Sequence, residues 1–215
     1  MNRDNTLVVL DTCVQLRLRL SDVLMDMRAE NLFSAHWTAN IEDEFLRNMV
    51  KVHGIAQAGA EGRLRAMRAR CPEWDVAMSS ADFDAVPEKV DQKDRHVAAA
   101  ALALRHLADK DTEDDETTYD VILLTDNVKD FAKTQMKQLG VRVLRPGQFL
   151  NEVFDAAPDA VMRAVQQAAK ELKKPPYTVA ELLYVLQQDG AKRLVSGASK
   201  ALGVKPVAKE HAKTK

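Results

Sequence analysis

The chain has 215 residues, of which 46% are hydrophobic and 29% charged, and its net charge is −1. That length suits one large domain or one domain with an appendix, and the composition is that of a folded globular chain. No uninterrupted apolar run reaches the ~18–20 residues of a membrane span, and two cysteines, Cys13 and Cys71, are too few for a disulfide framework. Asn2, Arg3, Asp4 and Asn5 precede only a strand-length apolar run, so no secretory signal is read there. An intracellular, cytoplasmic location is the expectation. The near-neutral total hides an asymmetry. Residues 158–215 hold 11 Lys and Arg against 5 Asp and Glu, a net +6, while residues 1–157 hold 20 against 27, a net −7. An acidic body with a basic tail suggests a cation site in the first and an anionic partner for the second, although a tail that is merely solvated has the same composition.

In chain order, "TLVVLD" (6–11) has the length and β-branched content of a strand. Helical spacing runs through 14–29, with Val14, Leu18, Val23 and Met27 among its apolar positions. "LFSAHW" (32–37) is a short extended piece. Thr38 is placed to cap a helix over 39–52, and an Ala- and Arg-rich helix follows over 55–70, closed by Pro72. "DVAMSS" (75–80) reads as a short strand, and Ser80 to Phe83 as the start of a helical turn before Pro87. An Ala-rich helix covers 93–108. The acidic stretch 109–120 is too charged to pack. "VILLT" (121–125) is the clearest buried strand. The segment 127–140 reads as a helix closed by Gly140, "VRVL" (141–144) as a strand, and Pro146 as the start of another helix. Beyond about 157 the strand signals stop. Pro158 opens one helix, and Thr178 with Glu181 has capping-box spacing for the next. Gly190, Gly197 and Gly203 punctuate the end. Alternating strands and helices predict an α/β fold with a parallel sheet covered by helices over 1–156. A small all-helical extension over 157–203 and a flexible basic tail over 204–215 complete the expected domains.

Four acids stand out. In an open α/β sheet, ligands bind beyond the carboxyl ends of the strands. Asp11 ends the first strand and Asp126 follows "VILLT", although a single Asp in such a place more often caps a helix. On a helical wheel Ile41, Phe45, Met49 and Val52 share a face, with Glu44 and Asn48 bordering it and Glu42, Asp43, Arg47 and Lys51 further out. A pair with Arg47 or another base would explain Glu44 without any ligand. Asp94 aligns with Ala98, Ala101 and Ala108, small residues that draw that helix close to the sheet, while Asp91, one turn earlier, is explained as a cap. If four such acids converge, each pair at 4 Å costs ~4 kcal/mol at an effective dielectric near 20. Several pairs then exceed a domain's whole stability of ~5–15 kcal/mol, so the acids are protonated or hold a cation. Oxygen ligands select Mg²⁺ or Mn²⁺, and such an ion can activate water toward a phosphodiester. The five histidines are scattered without zinc spacing, and no Gly-rich phosphate loop is present.

At these residues the sequence resembles a PIN domain, the metal-dependent nuclease fold of VapC-type toxins. "VLDTC" is similar to its opening strand and first acid, "IEDEFLRN" to its second element, and "DRHVAAAAL" to its D-x-x-[IL]-A-A-x-A element. "LLTDNVKDF" is similar to its T-x-[ND]-x-x-D-F element. "PPYTVAELL" (175–183) resembles a stretch in the C-terminal helical extension of one subgroup, so the likeness runs from residue 7 to about 200. One departure is Asp126, which stands where that subgroup carries an uncharged residue. The fourth ligand is therefore Asp126, Asn127 or Asp130. The resemblance implies a PIN-like parallel sheet and an endoribonuclease cutting RNA by metal-assisted hydrolysis, the toxin of a toxin–antitoxin pair. Asp11, Glu44, Asp94 and Asp126 are its implied catalytic residues, and Mg²⁺ or Mn²⁺ the implied cofactor, held by them with Asn127 and Asp130. Thr12, Asn48 and Asp91 would orient these acids. Arg17, Arg19, Arg47 and Arg95 are candidates for phosphate contacts. An antitoxin protein is the implied partner, and such toxins often form homodimers. The alternative is a catalytically silent PIN-like scaffold that binds a protein, with "VAELLYVL" as its docking helix. A haloacid dehalogenase-type phosphatase also begins with a strand and an Asp, but needs a second Asp where this chain has Cys13.

Overall fold

The computed structural model describes residues 5–111, 118–173 and 175–209. A four-stranded, all-parallel sheet lies at its centre in the order β2-β1-β3-β4, with β1 at Thr6–Leu10, β2 at Ser34–His36, β3 at Asp120–Leu124 and β4 at Val141–Leu144. Val8, Val9 and Leu10 of β1 and Val121, Ile122, Leu123 and Leu124 of β3 are buried. Because successive strand side chains point to opposite faces, such runs require cover on both, as in α/β proteins generally. The chain moves from β1 to β2 on one side and to β3 on the other, so strand order reverses between β1 and β3. That reversal is where ligands bind in such sheets.

The Thr38 cap is as read: the Ile41 N–H donates to Thr38 Oγ1 at 3.4 Å at the start of α3 (Ala39–His53). Other expectations change. The helix over 14–29 is two, α1 (Thr12–Gln15) and α2 (Leu18–Ala29), because Arg17 between them leaves helical backbone with ψ 81°. The strand at 75–80 reduces to one bridge between Asp75 and Trp37, since Ser79 already begins a capping box with Asp82 that opens α5 (Ser80–Asp84). On α3, Val52 is 66% exposed where the helix turns away at Gly54. Glu42, placed on the outer face, is instead buried, because α4 (Gln57–Arg70) covers that flank. Arg68 Nε and Trp37 Nε1 each donate to Glu42 Oε1 at 2.8 Å. α6 (Arg95–Asp111) follows a short 3-10 turn at Gln92–Asp94, and Ala98, Ala101 and Ala108 on it are buried as the small-residue face requires. Of the acidic stretch read over 109–120, residues 109–111 end α6 and Asp120 opens β3, while 112–117 lie outside the described residues. The helix read over 127–140 is a 3-10 turn at Val128–Phe131 and then α7 (Lys133–Gln138), separated by Ala132 at φ 44°.

α8 (Pro146–Ala156), α9 (Pro158–Glu171), α10 (Val179–Gln188) and α11 (Lys192–Leu202) complete the chain. The Thr178–Glu181 capping box is present: the Thr178 N–H donates to Glu181 Oε2 at 2.7 Å and the Glu181 N–H to Thr178 Oγ1 at 3.2 Å. α11 has no cap of its own. The Arg193 and Leu194 N–H groups instead donate to Asn151 Oδ1 of α8, at 2.9 and 3.1 Å. Gly197, read as punctuation, lies inside α11 because the Phe154 ring of α8 presses on it. The expected loose tail is described to residue 209, and there the Val207 N–H donates to Ala180 O at 3.2 Å while Lys209 sits over the Tyr177 ring. Residues 210–215 lie outside the described residues.

Gly147 packs so closely on the turn after α10 that a Cβ there would stand 2.3 Å from Asp189 O. Gly147→Ala is therefore expected to destabilise the chain by about 1–3 kcal/mol through overpacking, read as a lower midpoint in urea unfolding.

Candidate functional site

β1 and β3 run in register from Thr6 opposite Asp120 to Leu10 opposite Leu124, so Asp11 and Thr125 leave the sheet side by side. The Asp11 N–H still donates to Leu124 O at 3.1 Å. Asp11 is buried at the start of α1, and Thr125 Oγ1 donates to its Oδ2 at 2.6 Å. Cys13 Sγ donates to the same oxygen at 3.0 Å, so neither bond engages Oδ1. Burial raises the Asp11 carboxyl above its ordinary pKa; these two hydrogen bonds oppose the shift and the charge of Glu44 adds to it. Burial, with the Asp11 charge, pushes the Cys13 thiol up to about 12, so it remains a donor at neutral pH.

Glu44 arrives from α3. Thr12 Oγ1 donates to its Oε2 at 3.1 Å, and His96 Nε2 of α6 stands 3.6 Å from the same oxygen. His96 holds Glu44 below the ordinary carboxylate range, and Glu44 in turn holds the imidazole above its ordinary value. The partner of Glu44 is thus His96 rather than Arg47. Arg47 is exposed and shares a shallow depression of about 270 Å³ with Asn40, Asp43, Glu44 and His96. Asn48 lies one turn further along α3, half-buried.

Asp94 ends the 3-10 turn before α6. Its side chain is 14% exposed, and its Oδ2 is buried with no hydrogen-bond partner. The nearest cation, Lys93 Nζ, is 4.0 Å from that oxygen, outside hydrogen-bond reach, and stands 3.6 Å from Asp130 Oδ2. Burial first, then the charges of Asp11, Asp130 and Asp91, push Asp94 up to about 6 against the pull of Lys93. The 3-10 turn carrying Asp130 is tied to this loop, because the Asp91 N–H donates to Asp130 O at 2.9 Å. Asp91 accepts from the Lys93 N–H at 3.1 Å, the capping role read for it.

Asp126 is placed differently. Arg17 Nη1 donates to both its oxygens, at 3.0 and 2.8 Å, and Arg17 Nη2 donates to Asp189. The charges of Asp11, Asp130 and Asp91 act on Asp94, and that of Glu44 on Asp11. Asn127 opens the 3-10 turn, its N–H donating to Thr125 Oγ1 at 3.0 Å. Arg95 is no free phosphate donor: its guanidinium donates to the carbonyls of Phe83, Val86 and Pro87. Arg19 pairs with Asp22 at 3.1 Å. Sequence reading did not select Thr125, Cys13, His96 or Asp189. Only Thr125 left a signal, as the opening residue of the T-x-[ND] element.

The arrangement is a set of carboxylates at the switch point of a parallel α/β sheet. The charges of Asp11 and Asp130 act on Asp94 and that of Glu44 on Asp11, but among the described residues no three His, Cys, Asp or Glu side chains are placed so that they could hold an ion. Residues 146–199 match the family model of the VapC50 C-terminal domain, a segment that runs from α8 through most of α11 and so begins ahead of the boundary read at 157. No curated protein and no solved structure matches the chain. No described helix is long and apolar enough to cross a membrane.

Asp94 gives a test with a definite sign. Its folded pKa lies above the 3.8 of an ordinary aspartate carboxyl, so between that value and about 6 the folded state binds more protons and stability falls as pH rises. Asp94→Asn removes the buried charge. It is expected to raise Tm above about pH 7 and to lose that advantage near pH 4, measured by thermal unfolding across pH.

Proposed function

We propose that this chain is a metal-dependent endoribonuclease of the PIN type and the toxin of a toxin–antitoxin pair. The observation that carries the metal is the buried Asp94 Oδ2, which has no hydrogen-bond partner and faces the charges of Asp11, Asp130 and Asp91. A buried, unsatisfied carboxylate oxygen among like charges is relieved by a proton or by a cation, and a cation serves all of these acids at once. The donor set suits Mg²⁺ or Mn²⁺, being all oxygen. Asp11, Glu44, Asp94 and Asp130 would hold it, directly or through water, with Asn127 as the remaining oxygen donor of the 126–130 loop. Asp126 is engaged by Arg17 and drops behind Asp130 as the fourth ligand.

When bound, the ion supplies an activated water and stabilises the leaving oxygen of an RNA phosphodiester. The chain's own residues set the geometry. Thr125 and Cys13 fix Asp11 through Oδ2, and Thr12 and His96 fix Glu44. The exposed Arg47 beside Glu44 is the arginine best placed for a phosphate. The likeness of residues 146–199 to the VapC50 C-terminal domain supports the toxin reading and, with it, an antitoxin partner. A second reading, a silent scaffold that binds a protein, takes its support from the described residues, among which no three His, Cys, Asp or Glu side chains are placed so that they could hold an ion.

Purified protein with Mn²⁺ is expected to cut RNA and EDTA to stop it. Asp11→Asn should slow cleavage by more than about 100-fold, beyond the 10–100-fold that loss of an outer supporting group costs. Intact RNA with Mn²⁺, together with equal tolerance of wild type and Asp11→Asn by expressing cells, leaves the scaffold reading.

A further inference from the structure

Arg17 occupies the break between α1 and α2, and its guanidinium bridges two carboxylates from distant parts of the chain. Nη1 takes both oxygens of Asp126, in the loop after β3, and Nη2 takes Asp189, the residue that ends α10. The Asp189 side chain is only 3% exposed. Its backbone is pinned from a third direction. Gly147 of α8 packs against Asp189 O and Gly190, and Asn151 Nδ2 donates to Gly190 O at 3.3 Å. From Asp126 the contacts continue inward: its N–H donates to Cys13 Sγ at 3.3 Å, and Cys13 donates to Asp11 Oδ2.

We infer that Asp189 is a positioning residue for the carboxylate site, acting through Arg17 on Asp126, so that the C-terminal helices complete the site rather than only decorate it. The inference rests on the metal-site reading above. Arg17 holds both oxygens of Asp126 and ties them to the C-terminal helices through Asp189. Asp189 fixes where that guanidinium stands, because a buried carboxylate on a backbone locked by Gly147 and Asn151 has little freedom to follow it. The same link sets the 126–130 loop, which carries Asn127 and Asp130. Charge-assisted bonds of this kind are short, directional and stronger than neutral ones.

The test uses the full chain. Asp189→Asn keeps the shape of the side chain and removes its charge, Asp126→Asn removes the other end of the bridge, and the two are combined. Asp155→Asn, at the exposed pair with Arg193, is the control within the same helices. Mn²⁺ binding by calorimetry and thermal unfolding are read for each. Asp189→Asn is expected to weaken Mn²⁺ binding by about 10-fold, the scale for groups that orient metal ligands, with Asp155→Asn at the wild-type value. The two substitutions at the bridge should not add, in either Kd or Tm, because Arg17 couples them. Additive losses in both, or a wild-type Kd in Asp189→Asn, overturn the inference. Failure of the wild type itself to bind Mn²⁺ overturns the metal-site reading, and this inference with it. That result is distinguishable because it appears before any substitution is made.

Discussion

The structure depends on a carboxylate that the fold buries at the end of its central strand. Asp11 stands where β1 hands over to α1, opposite Thr125 at the end of β3, and it is there because those two strands pair in parallel without a slip. A one-residue shift would turn every side chain of β1 to the other face. A buried acid without partners costs several kcal/mol or gives up its charge. Thr125 and Cys13 supply two donors to one oxygen, and the other oxygen is left outside those bonds. Strand register, helix start and site chemistry therefore meet at one side chain.

Around that point the remaining acids are treated unequally. Glu44 is held ionised by a histidine and a hydroxyl, whereas Asp94 is pushed toward its neutral form by burial and by its neighbours. Asp126 shares an arginine with Asp189. Groups of one chemical type thus acquire different protonation tendencies from their surroundings, the usual way in which a site divides labour among identical side chains.

Much of this was legible in the sequence, and the parts that were not share a cause. The strands were readable because β1, β3 and β4 are short β-branched runs bounded by turn residues, and the inward pull on Asp94 because alanines repeat beneath it. Glu42 was misjudged because a helical wheel treats one face as core, while α4 brings a second buried flank to α3. Val52 failed for the converse reason, since the helix outruns its cover. The engagement of Asp126 by Arg17 was invisible, because the same guanidinium reaches Asp189, 172 positions away in the chain. Periodicity reports what one element needs; it is silent about which distant group will satisfy it.

The cap of α11 has a consequence for modularity. Its first amides are satisfied by Asn151, which belongs to a helix some forty positions earlier, and Phe154 of that same helix fills the space left by Gly197. A truncation after α8 would strand Asn151, and one before it would deprive α11 of its only start. α8 thus serves both halves of the molecule: it follows the last strand of the sheet and supplies the start of the last helix.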